Sequence, residues 1–355
     1  MSHRITRRSS RTITTVALLA ATASTTLLSA QPALATTHAA PPAHSTAAGA
    51  CAAPPVHSTA AASRFLSNVR IAKHFDLAAG QMPENIALLP DGTAHVTFAG
   101  SRQVARITPR GNVRILATLP APADGGVNTP VLRFPLTTGI VHADGATYVL
   151  YATGTADLTG LWRLVPGKAP RRITALPANG LPNGLALDRH SKRLYITDSV
   201  LGTVSTVPLS GGRPTVWSTA SELASTGYLG ANGAKVHNGA LWVTNLDKGT
   251  LLRIPIRRGD RAGAPQLKAT GLPGIDDFAF TGRGDKVLAT LNGPNKVVSI
   301  RPDGTSTTVL HAGDGLQNPT SVALRGKEVY VLSAAYTTRK DPNLLRAHLH
   351  GHHHR

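Results

Sequence analysis

Six short segments of the chain open on a side chain that offers oxygen: Glu84 in PENIAL, Thr138 in TTGIV, Asn183 in PNGLAL, Asn232 in ANGAKV, Asp276 in IDDFAF and Thr320 in PTSVAL, spaced 44 to 54 residues apart. Carboxylate and amide oxygens gathered on one axis suit a hard divalent cation, with Ca2+ the first expectation and Mg2+ next to it. Glu84 is a poor turn former, and a charge pointing inward needs a partner. Asp276 and Asp277 are adjacent and point to opposite faces of a strand, so at most one faces the axis. Asp276 is the aligned one and the candidate catalytic residue, because it can take a proton. Glu84, Asn183, Asn232 and Asp276 are the candidate metal ligands. Small polar residues also suit tight turns before strands. Thr138 and Thr320 fit that role readily, and Asn183, held between Pro and Gly, suits a turn as well as a ligand.

The elements that must position these residues repeat with them. After each aligned residue comes a short apolar strand (GLAL, FAF, SVAL), then a polar turn and a second strand (RLYITD, ALWVTN, EVYVLS). A loop leads to a third strand ending in a Gly turn (TVSTVPLSGG, KVVSIRPDG), and a fourth closes the unit (VRILATL, RRITAL, PTVWST). Four short antiparallel strands per forty-odd residues make one propeller blade. The unit from Thr320 has only three strands, and its missing fourth is at the other end of the chain, where NVRIAKHFD matches NVRILATLP. The expectation is an all-β, six-bladed β-propeller over residues 67–350, with the N-terminal strand closing the last blade and sparing the ring an open edge. The loops between second and third strands then open on the mouth where the aligned residues gather. They carry Asp198, Asn245 and Asn292. Asp198 in Thr-Asp-Ser suits a turn cap more than catalysis, and with Asn245 and Thr138 it completes the set of candidate substrate-binding residues.

The blade grammar, Glu84 opening the first blade and LPNGLALDRHSKRLYITDS in the third resemble the family of senescence marker protein, gluconolactonase and luciferin-regenerating enzyme. A looser resemblance extends to the streptogramin lyase group. The resemblance covers the chain from about residue 67 onward. It implies one divalent metal at the channel mouth, polarising a sugar-lactone carbonyl, with an acidic residue helping water to attack. Glu84 would be the first-blade ligand and Asn183 the third-blade ligand. The family's fourth blade opens on an aspartate that is both ligand and base. Here Asn232 stands there, and an amide ligates but takes no proton; Asp276, one blade on, is the acid left to replace it. The family's second-blade asparagine is replaced by Thr138. The expected function is therefore a metal-dependent hydrolase of sugar lactones or similar small esters. The alternative is a non-catalytic propeller that binds a glycan, a cell-wall polymer or a protein.

The remaining sequence bears on location and partners. Residues 1–35 read as a cleaved signal peptide: a basic start (MSHRITRRSSR), a modestly apolar run and Ala33-Leu34-Ala35 as the cleavage site. The run is too short and too rich in Thr and Ser for a membrane span, so we expect secretion without stable membrane insertion. Residues 36–66 are an Ala/Pro/Thr/His-rich linker that cannot form a core. They contain Cys51, the one cysteine of the 355 residues, so no internal disulfide is available and an ordinary apolar core must hold the fold. The net charge is +19, and +15 once the leader is gone. It is scattered and lacks interleaved aromatics, which argues against nucleic acid and leaves a small-molecule substrate or an anionic glycan or wall polymer as partner. A monomer is expected. Residues 351–355 end a His-rich tail that either captures transition metals weakly or is simply solvated.

Overall fold

The computed structural model describes residues 65–350. The leader, Cys51, nearly all of the linker and the end of the tail lie outside them. The described chain is a six-bladed β-propeller of four-stranded antiparallel sheets, with only two single-turn 3-10 helices, Ser221–Leu223 and Ala312–Asp314. The inner strands, in blade order, are Pro83–Leu88, Leu136–Ala143, Pro182–Asp188, Ala231–His237, Ile275–Phe280 and Pro319–Arg325. Blade 4 adds a short hairpin strand, Arg261–Ala262. Blade 6 takes its outer strand from the N-terminus: Leu66–His74 pairs with Asn343–Leu349, Leu66 opposite Leu349 and His74 opposite Asn343. No helix among the described residues is long and apolar enough to cross a membrane.

The core lies between blades rather than on one sheet face. Second strands such as Ala94–Phe98 and Val287–Leu291 are buried along their whole length, whereas the outer strand Val113–Thr118 is mostly exposed. A sheet covered on both faces needs a continuous apolar run, and VLATL supplies one. Packing between neighbours is aromatic at several seams, as where Phe75 meets Phe98 edge-on at 5.0 Å.

The aligned residues mark a structural device. Every inner strand slips register there, between Pro83 and Ile86, Thr137 and Ile140, Pro182 and Leu185, Ala231 and Ala234, Ile275 and Phe278, and Pro319 and Ser321. A bulge leaves backbone groups unpaired, and here a threonine on the second strand takes them up. In blade 3 the Gly184 N–H donates to Thr197 Oγ1 at 2.8 Å, and that hydroxyl donates onward to the Asn232 carbonyl of blade 4. Thr97, Thr244 and Thr290 likewise donate to the carbonyls of Thr138, Asp276 and Thr320 on the blade that follows. In blades 2 and 6 the register places Leu150 and Leu332 where the threonine should stand. There Thr138 and Thr320 themselves donate to the Pro182 and Pro83 carbonyls of the next blade. Six hydroxyls thus stitch six bulges into a closed circle.

This also explains glycine after asparagine. A Cβ on Gly184 would collide with the Asn232 carbonyl oxygen and Thr197 Oγ1, and one on Gly233 with Asp276 and Asp277. The next blade's bulge occupies that space.

Thr197→Val keeps the shape but leaves the Gly184 N–H and Asn232 carbonyl buried without partners. It should lower stability by about 2–3 kcal/mol, with Thr197→Ser retaining most of it. Urea unfolding of the three proteins measures this, and a valine variant as stable as the parent would refute the stitching role.

Candidate functional site

At one mouth of the channel lies a cavity of about 820 Å3 whose wall includes Glu84, Asn183, Asn232 and Asp276. All four are buried residues at inner-strand bulges. The bulge turns each of these side chains out of the ladder, and the circle of inter-blade bonds brings the four together. Thr138 and Thr320 are buried away from the cavity, their hydroxyls spent on the carbonyls of the next blade. Asp198 caps a turn: its Oδ1 accepts the N–H groups of Leu181 (2.9 Å), Val200 (3.0 Å) and Leu201 (2.8 Å). Asn245 donates to the carbonyls of Glu222 and Ala224 and accepts from the Lys248 N–H, so it holds a loop together instead of lining the cavity. His237 stacks on Phe280, centroids 3.7 Å apart, and is not on the wall.

The polar side chains that do face the cavity are oriented by fixed partners. Ser199 donates its one proton to the Ala231 carbonyl at 2.7 Å, so it accepts from Asn183 Nδ2 at 3.1 Å. Asn183 must therefore present its amide nitrogen to Ser199 and keep its carbonyl oxygen free to accept. Tyr336 donates to Glu84 Oε2 at 2.5 Å, and Asn292 Nδ2 donates to Asp276 Oδ2 at 3.2 Å. Asn85 and Asp277 meet at 3.3 Å, and Lys235 pairs with Asp277 at 2.6 Å. That lysine is committed there and does not line the cavity.

The two cavity carboxyls are left in an unfavourable setting. Burial pushes Glu84 up to about 7, against the pull of the Tyr336 hydrogen bond and with a further push from Asp277. Burial lifts Asp276 well above the usual aspartate range, and the charges of Glu84 and Asp277 lift it further. The hydroxyls of Tyr336 and Tyr228 are raised by burial and by the same acids. The remaining cation on the wall is Arg339. Among the described residues no three His, Cys, Asp or Glu side chains lie close enough to hold a metal ion. A cation here would draw on Glu84 and Asp276 plus the amide oxygens of Asn183 and Asn232. That donor set is hard, mixed and anionic, which is the chemistry such a cation takes.

The rest of the wall comes from loops that carry no repeat signal. Leu132 and Phe134 lie in the connection from blade 1 to blade 2, the longest interval between aligned residues. Tyr228 sits on a loop pinned by Asp247 Oδ2, which accepts the N–H groups of Thr226, Gly227 and Tyr228. Tyr336 sits on a loop pinned by Asn318 Oδ1, which accepts from the Thr337 and Thr338 N–H groups. With Met82, Leu229 and Leu246 these residues make the cavity largely apolar above its polar base.

No protein-family model matches the sequence, and no curated protein matches it. Among solved structures the chain is similar to virginiamycin B lyase from Staphylococcus aureus in complex with quinupristin, with 16% identity, 76% of this chain and 82% of that one covered, and a TM-score of 0.55. A gluconolactonase from Xanthomonas campestris matches at 16% identity over 80% of this chain and 96% of its own, with a TM-score of 0.53. A luciferin-regenerating enzyme matches at 13% identity over 79% and 96%, with a TM-score of 0.56. Likeness at this level establishes the shared propeller fold.

A carboxyl whose folded value lies above its unfolded one binds more protons in the native state, so its cost appears as pH rises from 4.5 towards 7. Glu84→Gln keeps an acceptor for Tyr336 and removes that cost. Its unfolding free energy should exceed that of the parent above neutrality, by a few kcal/mol at most, with a correspondingly higher melting temperature, and match it in acid below the ordinary glutamate range. Thermal melts across this range measure the difference, and a pH-independent offset would contradict it.

Proposed function

We propose that this propeller is a divalent-cation-dependent hydrolase of small lactones or related esters, working in the mouth cavity. What supports this reading above all is the meeting of two desolvated carboxyls and two amide oxygens on one wall of a largely apolar cavity. Glu84, Asp276, Asn183 and Asn232 would hold the cation, calcium being the best fit to these donors. When bound, such an ion polarises a carbonyl oxygen.

The chain's own residues do the rest. Asn183 offers an oxygen whose direction Ser199 sets, and Tyr336 holds one Glu84 oxygen so that the other is presented to the cavity. Asp276, steadied by Asn292, takes a proton from water as the water oxygen bonds to the carbonyl carbon. The ring C–O bond then breaks, and the departing oxygen receives that proton, giving a hydroxy acid. A base whose affinity for protons lies above the usual aspartate range is better matched to neutral pH. The apolar walls of Leu132, Phe134, Leu229 and Leu246 exclude water and favour a substrate with an apolar portion over a bare sugar. We further propose that the enzyme works outside the cytoplasm, delivered by the leader of residues 1–35.

Two readouts test this. Calcium should raise the melting temperature of the full chain, and Glu84→Ala should abolish the shift. The parent should hydrolyse lactones bearing a short alkyl chain in a chelator-sensitive way, and Asp276→Asn should lower kcat by about 10²–10⁴-fold. Calcium binding without turnover on any lactone or ester would leave a binding propeller; neither binding nor turnover would remove the proposal.

A further inference from the structure

The ring closes where Leu66–His74 runs beside Asn343–Leu349, and this seam concentrates positive charge that the mouth cavity does not use. Arg70 stands directly opposite Arg346 in the ladder. Like charges in that position destabilise a strand pair unless something offsets them. Arg346 is partly compensated: it pairs with Glu328 at 2.7 Å and lies 5.0 Å from the Tyr330 ring centroid. Glu328 also accepts from His348 at 3.1 Å, so its charge is shared between two groups. Arg70, Lys73 and Arg110 have neither an ion pair nor a hydrogen-bond acceptor among the described residues.

These cations surround a cavity of about 220 Å3 between blades 6 and 1. Arg70, Lys73, Arg110 and Arg346 line it, and no carboxylate does. Arg70 and Arg346 also line a second hollow, of about 370 Å3, on the side of His348. Two donors at the first cavity lack acceptors. The Tyr330 hydroxyl and Arg346 Nε are both buried without a partner, and Tyr330 is only 3% exposed. Buried donors without acceptors are costly, and in a pocket free of acids they call for an anion with several oxygens.

We propose that the seam is a phosphate-binding groove, filled by inorganic phosphate or by a phosphate group carried on a polymer. A tetrahedral oxyanion fits the smaller cavity and accepts from guanidinium forks in pairs. It also supplies the acceptor that the Tyr330 hydroxyl lacks. Its charge balances Arg70, Lys73 and Arg110 and relieves the opposition of Arg70 and Arg346. Because these residues come from the N-terminal strand, from blade 6 and from blade 1, the bound anion ties the closing strand to both neighbours. Occupancy therefore stabilises the closed ring.

The test is titration calorimetry of the full chain with sodium phosphate, ionic strength held constant with chloride, beside a parallel titration with long-chain polyphosphate. The expected result is a single saturable site for phosphate, weakened about tenfold or more by the double variant Arg70→Ser and Arg110→Ser. Both residues are exposed, so the variant should fold, and circular dichroism checks that it does. A control pair, Arg171→Ser and Arg213→Ser, removes the same charge elsewhere and should leave binding intact. Polyphosphate binding far tighter than phosphate assigns the groove to a polymer, and equal affinity per site assigns it to the free ion. Loss of affinity in the control pair equal to that in the seam pair, or no binding of either probe, overturns the proposal.

Discussion

The structure depends on a hydroxyl that reaches across from one blade to the next. Each blade's inner strand bulges at its entry, and the bulge strands a carbonyl and an N–H in a region from which water is excluded. Thr97, Thr197, Thr244 and Thr290 resolve this by donating to the following blade, and Thr138 and Thr320 do so where leucine occupies the second-strand position. The interaction is modest in each instance, but around a closed circle it fixes the spacing and rotation of all six inner strands. Side chains from blades 1, 3, 4 and 5 reach one cavity because of that constraint.

The same constraint creates the chemistry. A bulge buried by its neighbours holds Glu84 and Asp276 out of bulk water, where burial raises the proton affinity of both, the charge of Asp277 adds to it at each, and that of Glu84 adds further at Asp276. A protein interior tolerates such a pair only with compensation. Tyr336 and Asn292 provide part of it through hydrogen bonds, and Lys235 is spent on Asp277. What remains is a desolvated, acid-bearing, oxygen-rich pocket beneath an apolar vestibule. Carboxyls with proton affinities perturbed in this way are commonly kept where they serve binding or catalysis.

The fold was legible in the sequence because its signal repeats. Period-two alternation and Gly turns return every forty-odd residues, and NVRI at both Asn68 and Asn112 betrays the strand that closes the ring. The cavity's polar base was legible for the same reason, since Glu84, Asn183, Asn232 and Asp276 occupy one repeat position. Thr138 occupies it too, yet no pattern in its own blade announces that Leu150 leaves the stitching bond to be made by the inner strand. Asp198 and Asn245 end the second strands of their blades at the right end of the ring, but short side chains beside free N–H and carbonyl groups satisfy the backbone first. Tyr228, Tyr336, Leu132 and Phe134 were not legible. They sit on connections of irregular length, shaped by Asp247 and Asn318 through backbone contacts that follow no period.

The central claim, that the circle of blades desolvates Glu84 beside a second acid, has a direct measurement. The chain contains three glutamates, Glu84, Glu222 and Glu328, so carbon NMR of carboxyl-labelled glutamate follows each one through a pH titration. One resonance should titrate near 7 and vanish from the spectrum of Glu84→Gln. If all three resonances titrate at or below the ordinary value of 4.5, the carboxyl is solvated and the account of the site is wrong.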